Sequence, residues 1–198
     1  MRPLPFLWPY WPVFWVVFLW AYWPEFGIVR RAREPAAKSE SPDAGSFRLI
    51  VLGMSVATFA AFPLAWLRVL RASDSRQLVL FVLGVGTLLG GSLLRRHCWH
   101  LLSASFTGDV RARPDQAIIQ TGAYSLVRHP SYTAGILMNL GIGLALGSWG
   151  SVVLLTVASI AVYVYRMNVE ERTLLEVVGE PYREYMRNRP RRLFPFIY

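Results

Sequence analysis

Apolar residues in this 198-residue chain gather in runs long enough to cross a bilayer. A hydrocarbon core about 30 Å thick needs roughly 20 apolar residues in a helix rising 1.5 Å per residue. The first such run covers residues 6–26. It holds Trp8, Trp11, Trp15, Trp20 and Trp23, and its only charged residue, Glu25, lies at the far end. With no basic start and no small-residue cleavage site, it reads as an uncleaved span rather than a signal peptide. A second run covers residues 47–67 and carries Pro63, which can kink a membrane helix without abolishing it. A third covers residues 78–94. The apolar stretch 132–165 is interrupted only by Gly147-Ser148-Trp149-Gly150, a turn cluster with an interface-seeking tryptophan, so it reads as a helical hairpin. Each arm of about 16 residues gives roughly 24 Å, so the flanking turns must complete the crossing or the bilayer must thin.

The expected fold is therefore an all-α integral membrane protein with about five transmembrane helices. Residues 1–94 form three N-terminal spans, and residues 95–198 a linker, a C-terminal hairpin and an amphipathic tail. Composition agrees, with 54% hydrophobic and 17% charged residues and a mean hydropathy of +0.35. That excludes a disordered or fibrous chain. The lone cysteine, Cys98, cannot form an intrachain disulfide.

The net charge of +9 reflects topology rather than a nucleic-acid partner. With the N-terminus outside, sixteen of the 21 basic residues fall in segments 27–47, 95–130 and 166–198, on the inner side. The positive-inside rule thus selects N-out and C-in, with a cytoplasmic tail. Most of these arginines are expected to meet lipid headgroups.

Few segments offer chemistry. Gly84-x-Gly86 and Gly141-x-Gly143 lie inside apolar spans without a βαβ context, so they read as helix-packing positions, not nucleotide loops. His97-Cys98-Trp99-His100 lacks further ligands nearby and points to an interfacial helix end, with no metal expected. The informative segment is residues 121–132, which holds Tyr124, Arg128, His129, Pro130, Ser131 and Tyr132 at the mouth of the hairpin. Its residues suit an anionic or zwitterionic ligand with a cationic centre. They equally suit an interfacial belt in which the tyrosines anchor, Arg128 snorkels and Pro130 starts the helix. At the other end of the hairpin Arg166 and Glu170 are four apart and share a helix face, as in an ordinary ion pair. The hairpin returns them beside residues 124–132, and charges facing a cavity at the membrane surface are functional candidates. Beyond them, residues 174–185 form an amphipathic stretch expected to lie on the cytoplasmic surface and roof the site.

From Gln116 to Pro195 the order of motifs resembles the membrane methyltransferases of the isoprenylcysteine carboxyl methyltransferase family and their phospholipid N-methyltransferase relatives. The matching pieces are Gly122-x-Tyr124, Arg128-His129-Pro130-Ser131-Tyr132, a hairpin, Arg166 with Glu170-Glu171, Gly179-Glu180-Pro181-Tyr182-Arg183-Glu184-Tyr185 and Arg192-Leu193-Phe194-Pro195. The resemblance implies S-adenosylmethionine as methyl donor, held at the cytoplasmic end of the bundle without a Rossmann domain. By analogy Tyr124, Arg128, His129, Pro130, Ser131, Tyr132 and Glu170 would hold the cofactor, and Arg166 the methyl acceptor, with Arg166 and Glu170 as the catalytic pair. The family's strip before the Gly-x-Tyr falls on Gln116-Ala117-Ile118-Ile119, where Gln116 replaces the usual histidine; by the same analogy this strip would hold the cofactor through backbone contacts, without an imidazole role.

The implied acceptor is an amphipathic, lipid-like molecule, foremost a carboxylate such as an isoprenylcysteine. A carboxylate is ionised near neutral pH and needs no general base, whereas an amine would need Glu170 or His129 as base. The Arg-rich chain suggests a bacterial inner membrane, or the endoplasmic reticulum if the source is eukaryotic. Three alternatives remain open at this level: a phospholipid N-methyltransferase, an NADPH-dependent sterol-type reductase sharing the Arg-His-Pro-x-Tyr hairpin, and a non-catalytic membrane binding protein.

Overall fold

A computed structural model describes residues 2–32, 46–102 and 118–195 of the chain. The described residues form an all-helical bundle: α1 (Tyr10–Ala32), α2 (Ser46–Leu64), α3 (Asp74–Leu102), α4 (Pro130–Ala145), α5 (Trp149–Val177) and the short α6 (Glu180–Asn188). Among them, α2, α3 and α5 are long and apolar enough to cross a membrane. The first helix starts later than the apolar run suggested, because the proline-rich start folds as a 3-10 turn at Leu4–Phe6 before α1 begins. Three helices also outrun their apolar cores. The α1 helix continues past Glu25, α3 passes Arg95 to end at Leu102, and α5 passes Arg166 to end at Val177. The expected continuous amphipathic stretch 174–185 is instead broken at Gly179, whose φ of 74° separates α5 from α6.

The α4 helix lies between α3 and α5, α2 packs on α5, and α1 packs on α3. Glycine sets the α3–α4 distance. A Cβ on Gly84 would meet the Ala145 amide nitrogen at 2.2 Å, and one on Gly141 the Leu88 nitrogen at 2.5 Å. Gly143 packs as closely on α5, whereas a Cβ on Gly86 meets nothing within 4 Å, so three of the four expected packing glycines serve that purpose. Around this spine Phe14, Phe81, Leu88, Met138, Ile142, Leu146 and Leu155 form the core. Trp8, Trp23, Val56, Phe59, Val82 and Val153 are exposed, an outer surface that suits hydrocarbon rather than water.

Two polar ends bound the apolar middle. At the far end Gly147, with φ 64°, turns the chain from α4 into α5, and the Ser148 hydroxyl caps α5 by accepting from the Ser151 amide at 3.3 Å. Gln77 of α3 clasps this turn, its amide donating to the carbonyls of Ala72 (2.9 Å) and Gly147 (3.2 Å). At the opposite end gather the last turns of α1, α3 and the apolar part of α5 and the first turns of α2 and α4. Arg95 bonds Glu25 and the Ser131 carbonyl, and Arg166 bonds Ser46.

Candidate active site

The site is built at that second end. Gly122 opens a 3-10 turn, Gly122–Ser125, with φ 58°, and its α-carbon lies so close to α3 that a Cβ would meet Leu101 Cδ1 at 2.7 Å and His97 Nε2 at 3.0 Å. The backbone angle favours glycine, and any other residue would also have to displace the tips of Leu101 and His97. The turn directs Tyr124 inward, where its carbonyl accepts from the Tyr185 hydroxyl of α6 at 3.2 Å. Burial pushes the Tyr124 phenol up, with smaller upward contributions from Cys98, Glu170 and Tyr185, so it stays a neutral donor.

The chain then enters α4 through His129, with Pro130 in the first helical turn. Residues 189–193 lie across this entrance as a strap. Arg128 and His129 amides donate to the carbonyls of Arg191 (3.0 Å) and Arg192 (2.9 Å). Arg128 Nη1 donates to the carbonyls of Arg189 (2.7 Å) and Pro190 (2.9 Å), and the Thr133 hydroxyl donates to that of Leu193 (2.6 Å).

Glu171, on the polar extension of α5 beyond its apolar run, anchors the arrangement from below. Its side chain is buried and accepts from Arg128 Nε at 2.9 Å, His129 Nε2 at 2.9 Å and Arg192 Nη2 at 2.6 Å. Arg192 also donates to Asn168 Oδ1 at 3.2 Å. Burial alone would raise the Glu171 pKa, but the His129 hydrogen bond and the charges of His129, Arg128 and Arg192 hold it down at about 2. An ionised carboxylate only accepts, so His129 donates from Nε2, and its Nδ1 lies 3.9 Å from Glu170 Oε2.

Glu170, the neighbour of Glu171, lies on the Nδ1 side of the same imidazole, and its side chain is 31% exposed. Its Oε2 accepts from the Tyr132 hydroxyl at 2.6 Å. The Tyr132 ring stacks between His129 (centroids 5.5 Å) and Tyr163 (5.1 Å). Tyr163 fits only because Gly135 has no side chain, since a Cβ there would meet the Tyr163 hydroxyl at 2.3 Å. One turn below Glu170, Arg166 is buried at 4% exposure, donates from Nη1 to the Ser46 hydroxyl of α2 and lies within electrostatic reach of Tyr132. Glu170 thus takes the Tyr132 hydroxyl, and Arg166 the Ser46 hydroxyl of α2.

Of the residues singled out from sequence, Arg128, His129, Ser131, Tyr132, Arg166 and Glu170 come together at this end, with Pro130 inside the same turn. The Arg128 guanidinium is committed to Glu171 and the strap. Ile118 and Ile119 are half-buried in the segment before Gly122, and Gln116 and Ala117 lie outside the described residues. No cluster of three metal-ligating side chains occurs among the described residues, and the His97–His100 stretch is the end of α3. Glu171 and Arg192 stand within the sequence motifs, but the motifs alone give them no task. Their signal was the pairing of two acids with a distant arginine.

This end of the bundle joins two helices, with Arg-His-Pro-x-Tyr at the entrance of one and Arg with Glu-Glu on the other, and comparison with known proteins identifies the family. Residues 79–180, just over half of the chain, match the phospholipid methyltransferase family, and the chain belongs to that family. It is similar to the protein-S-isoprenylcysteine O-methyltransferase of Schizosaccharomyces pombe, 29% identical over 108 residues that cover 54% of this chain and 46% of that protein. It is also similar to the protein-S-isoprenylcysteine O-methyltransferase of Xenopus laevis, 31% identical over 127 residues covering 63% of this chain and 44% of the other. The chain therefore aligns with less than half the length of either relative.

Proposed function

We propose that this protein is an integral membrane methyltransferase that uses S-adenosylmethionine to methylate a carboxylate on an amphipathic, lipid-like acceptor. The carrying observation is the juxtaposition of Glu170, partly open and oriented by Tyr132, with the buried Arg166 one turn deeper toward the apolar core. The residues present fit the donor's chemistry: the partly open Glu170 carboxylate suits a sulfonium or an ammonium group. When bound, S-adenosylmethionine supplies a methyl group on a sulfonium whose departure leaves a neutral thioether.

Glu170 offsets positive charge at the mouth of the site, with Tyr132 fixing its rotamer. Glu171 holds the His129 imidazole by its Nε2, which keeps the ring stacked on Tyr132. Arg166, held by Ser46, aligns the acceptor carboxylate through paired N–H donors. An ionised carboxylate already holds the electron pair that forms the new oxygen–carbon bond, so no residue has to remove a proton. Alignment and exclusion of water are the remaining demands, and the strap over α4 supports both.

The proposed topology has five crossings with N-terminus outside and C-terminus cytoplasmic. Support comes from the sixteen basic residues in the three inner segments and from the contacts that gather Glu25, Ser46, Arg95, Ser131 and Arg166 at one end. The test is methyl transfer from labelled S-adenosylmethionine by purified protein in lipid nanodiscs. An isoprenylcysteine analogue and phosphatidylethanolamine serve as parallel acceptors. Labelling of the isoprenylcysteine carboxylate, abolished by Glu170→Ala, is expected. Absence of donor binding, with Glu170→Ala indistinguishable from wild type, would overturn the reading, and labelling of phosphatidylethanolamine alone would replace the carboxylate with an amine.

A further inference from the structure

One partly buried charge pair at this end has no part in the chemistry above. Arg95 of α3 donates from Nε and Nη2 to the two carboxylate oxygens of Glu25 on α1, the second bond at 3.1 Å. Its third nitrogen, Nη1, donates to the Ser131 carbonyl at 2.8 Å. The Trp99 ring lies 5.0 Å from the guanidinium carbon, and the Arg95 and Glu25 side chains are 11% and 25% exposed. A single planar fork therefore connects α1, α3 and the first turn of α4.

An ion pair largely withdrawn from water is a poor device for stability alone, since an apolar pair of similar volume holds helices together about as well. An apolar pair cannot donate to a carbonyl. The carbonyl in question belongs to the residue before Tyr132, whose hydroxyl sets Glu170. Arg95 also lies within electrostatic reach of the Tyr163 hydroxyl, on the other side of the Tyr132 stack.

We propose that Glu25 and Arg95 are positioning residues for the methyl-donor site. Glu25 orients the guanidinium, and Arg95 fixes the Ser131 carbonyl and, through it, the Tyr132–Glu170 pair. The inference rests on the donor-site reading above. It also gives α1 a part in the site, although Glu25 lies outside the family-matched segment 79–180.

The test uses full-length protein in nanodiscs and three readouts: thermal unfolding, calorimetric Kd for S-adenosylmethionine, and KM for donor and for acceptor. In the double variant Glu25→Leu with Arg95→Met the unfolding midpoint is expected to stay near that of wild type. Its donor Kd should rise about tenfold, the worth of one charge-assisted hydrogen bond, while acceptor KM is unchanged. Arg95→Lys is the second variant. It retains the charge opposite Glu25 but lacks the fork needed to reach Ser131 as well, so it should show the same rise with the fold intact. A donor Kd within twofold of wild type in either folded variant would overturn the proposal. Failure of the wild-type protein to bind donor would instead refute the donor-site reading, and the positioning role would fall with it.

Discussion

Replacing Glu171 by glutamine removes a charge and little volume from the centre of the site, which makes its cost calculable in two ways. Arg128 and Glu171 side chains are 5% and 4% exposed, so neither can be rescued by water. Stripping one partner from a buried pair costs about 3–5 kcal/mol, and the oxygen that glutamine keeps reduces this to about 2–3 kcal/mol. The second route is proton linkage. Folding lowers the Glu171 pKa from 4.5 to about 2, and at 1.36 kcal/mol per unit this is about 3 kcal/mol of stability at neutral pH. Because the folded value is the lower one, the contribution is complete above pH 4.5 and is lost as pH falls toward about 2. Unfolding of wild type and Glu171→Gln, followed by tryptophan fluorescence from pH 7 to pH 2, should show a gap that closes across that window. A variant as stable as wild type at pH 7, or a gap independent of pH, would refute the assignment of Glu171 as the ionised anchor of His129, Arg128 and Arg192.

Three further outcomes are expected. Tyr132→Phe removes the hydroxyl that holds Glu170, so donor affinity should fall about five- to tenfold by calorimetry with little change in unfolding. Arg166→Lys retains charge but not the paired donors, so KM for a carboxylate acceptor should rise about tenfold or more in a labelled-methyl assay while donor Kd stays unchanged. Gly84→Leu forces a side chain into backbone atoms of α4 only 2.2–2.8 Å from its Cβ, and should cost about 3 kcal/mol or more or abolish folding, whereas Gly86→Leu on the open face should be nearly neutral.

The apolar helices α2, α3 and α5 and the turn of the hairpin were legible because an apolar run of bilayer length has little use in a water-soluble fold, and Gly147 announced the turn. Helix ends were less legible. Counting apolar residues stops at Arg95 and at Arg166, yet hydrogen bonding carries α3 and α5 onward, and those polar extensions build the site. The Arg128–Tyr132 segment, Arg166 and Glu170 stood out as motifs. Which of two adjacent glutamates faces inward did not, since neighbours on a helix point about 100° apart and only packing decides. Glu171 meets Arg192 after a turn and a helix have intervened, and Glu25 meets Arg95 across 70 residues, so neither pairing leaves a local trace.

The most direct test of the central claim is titration of S-adenosylmethionine into the purified protein in nanodiscs, with Glu170→Ala as the paired control. Saturable one-to-one binding by wild type, lost in the variant while its unfolding midpoint is retained, is the result expected. No heat of binding in either protein, or equal binding in both, would contradict it.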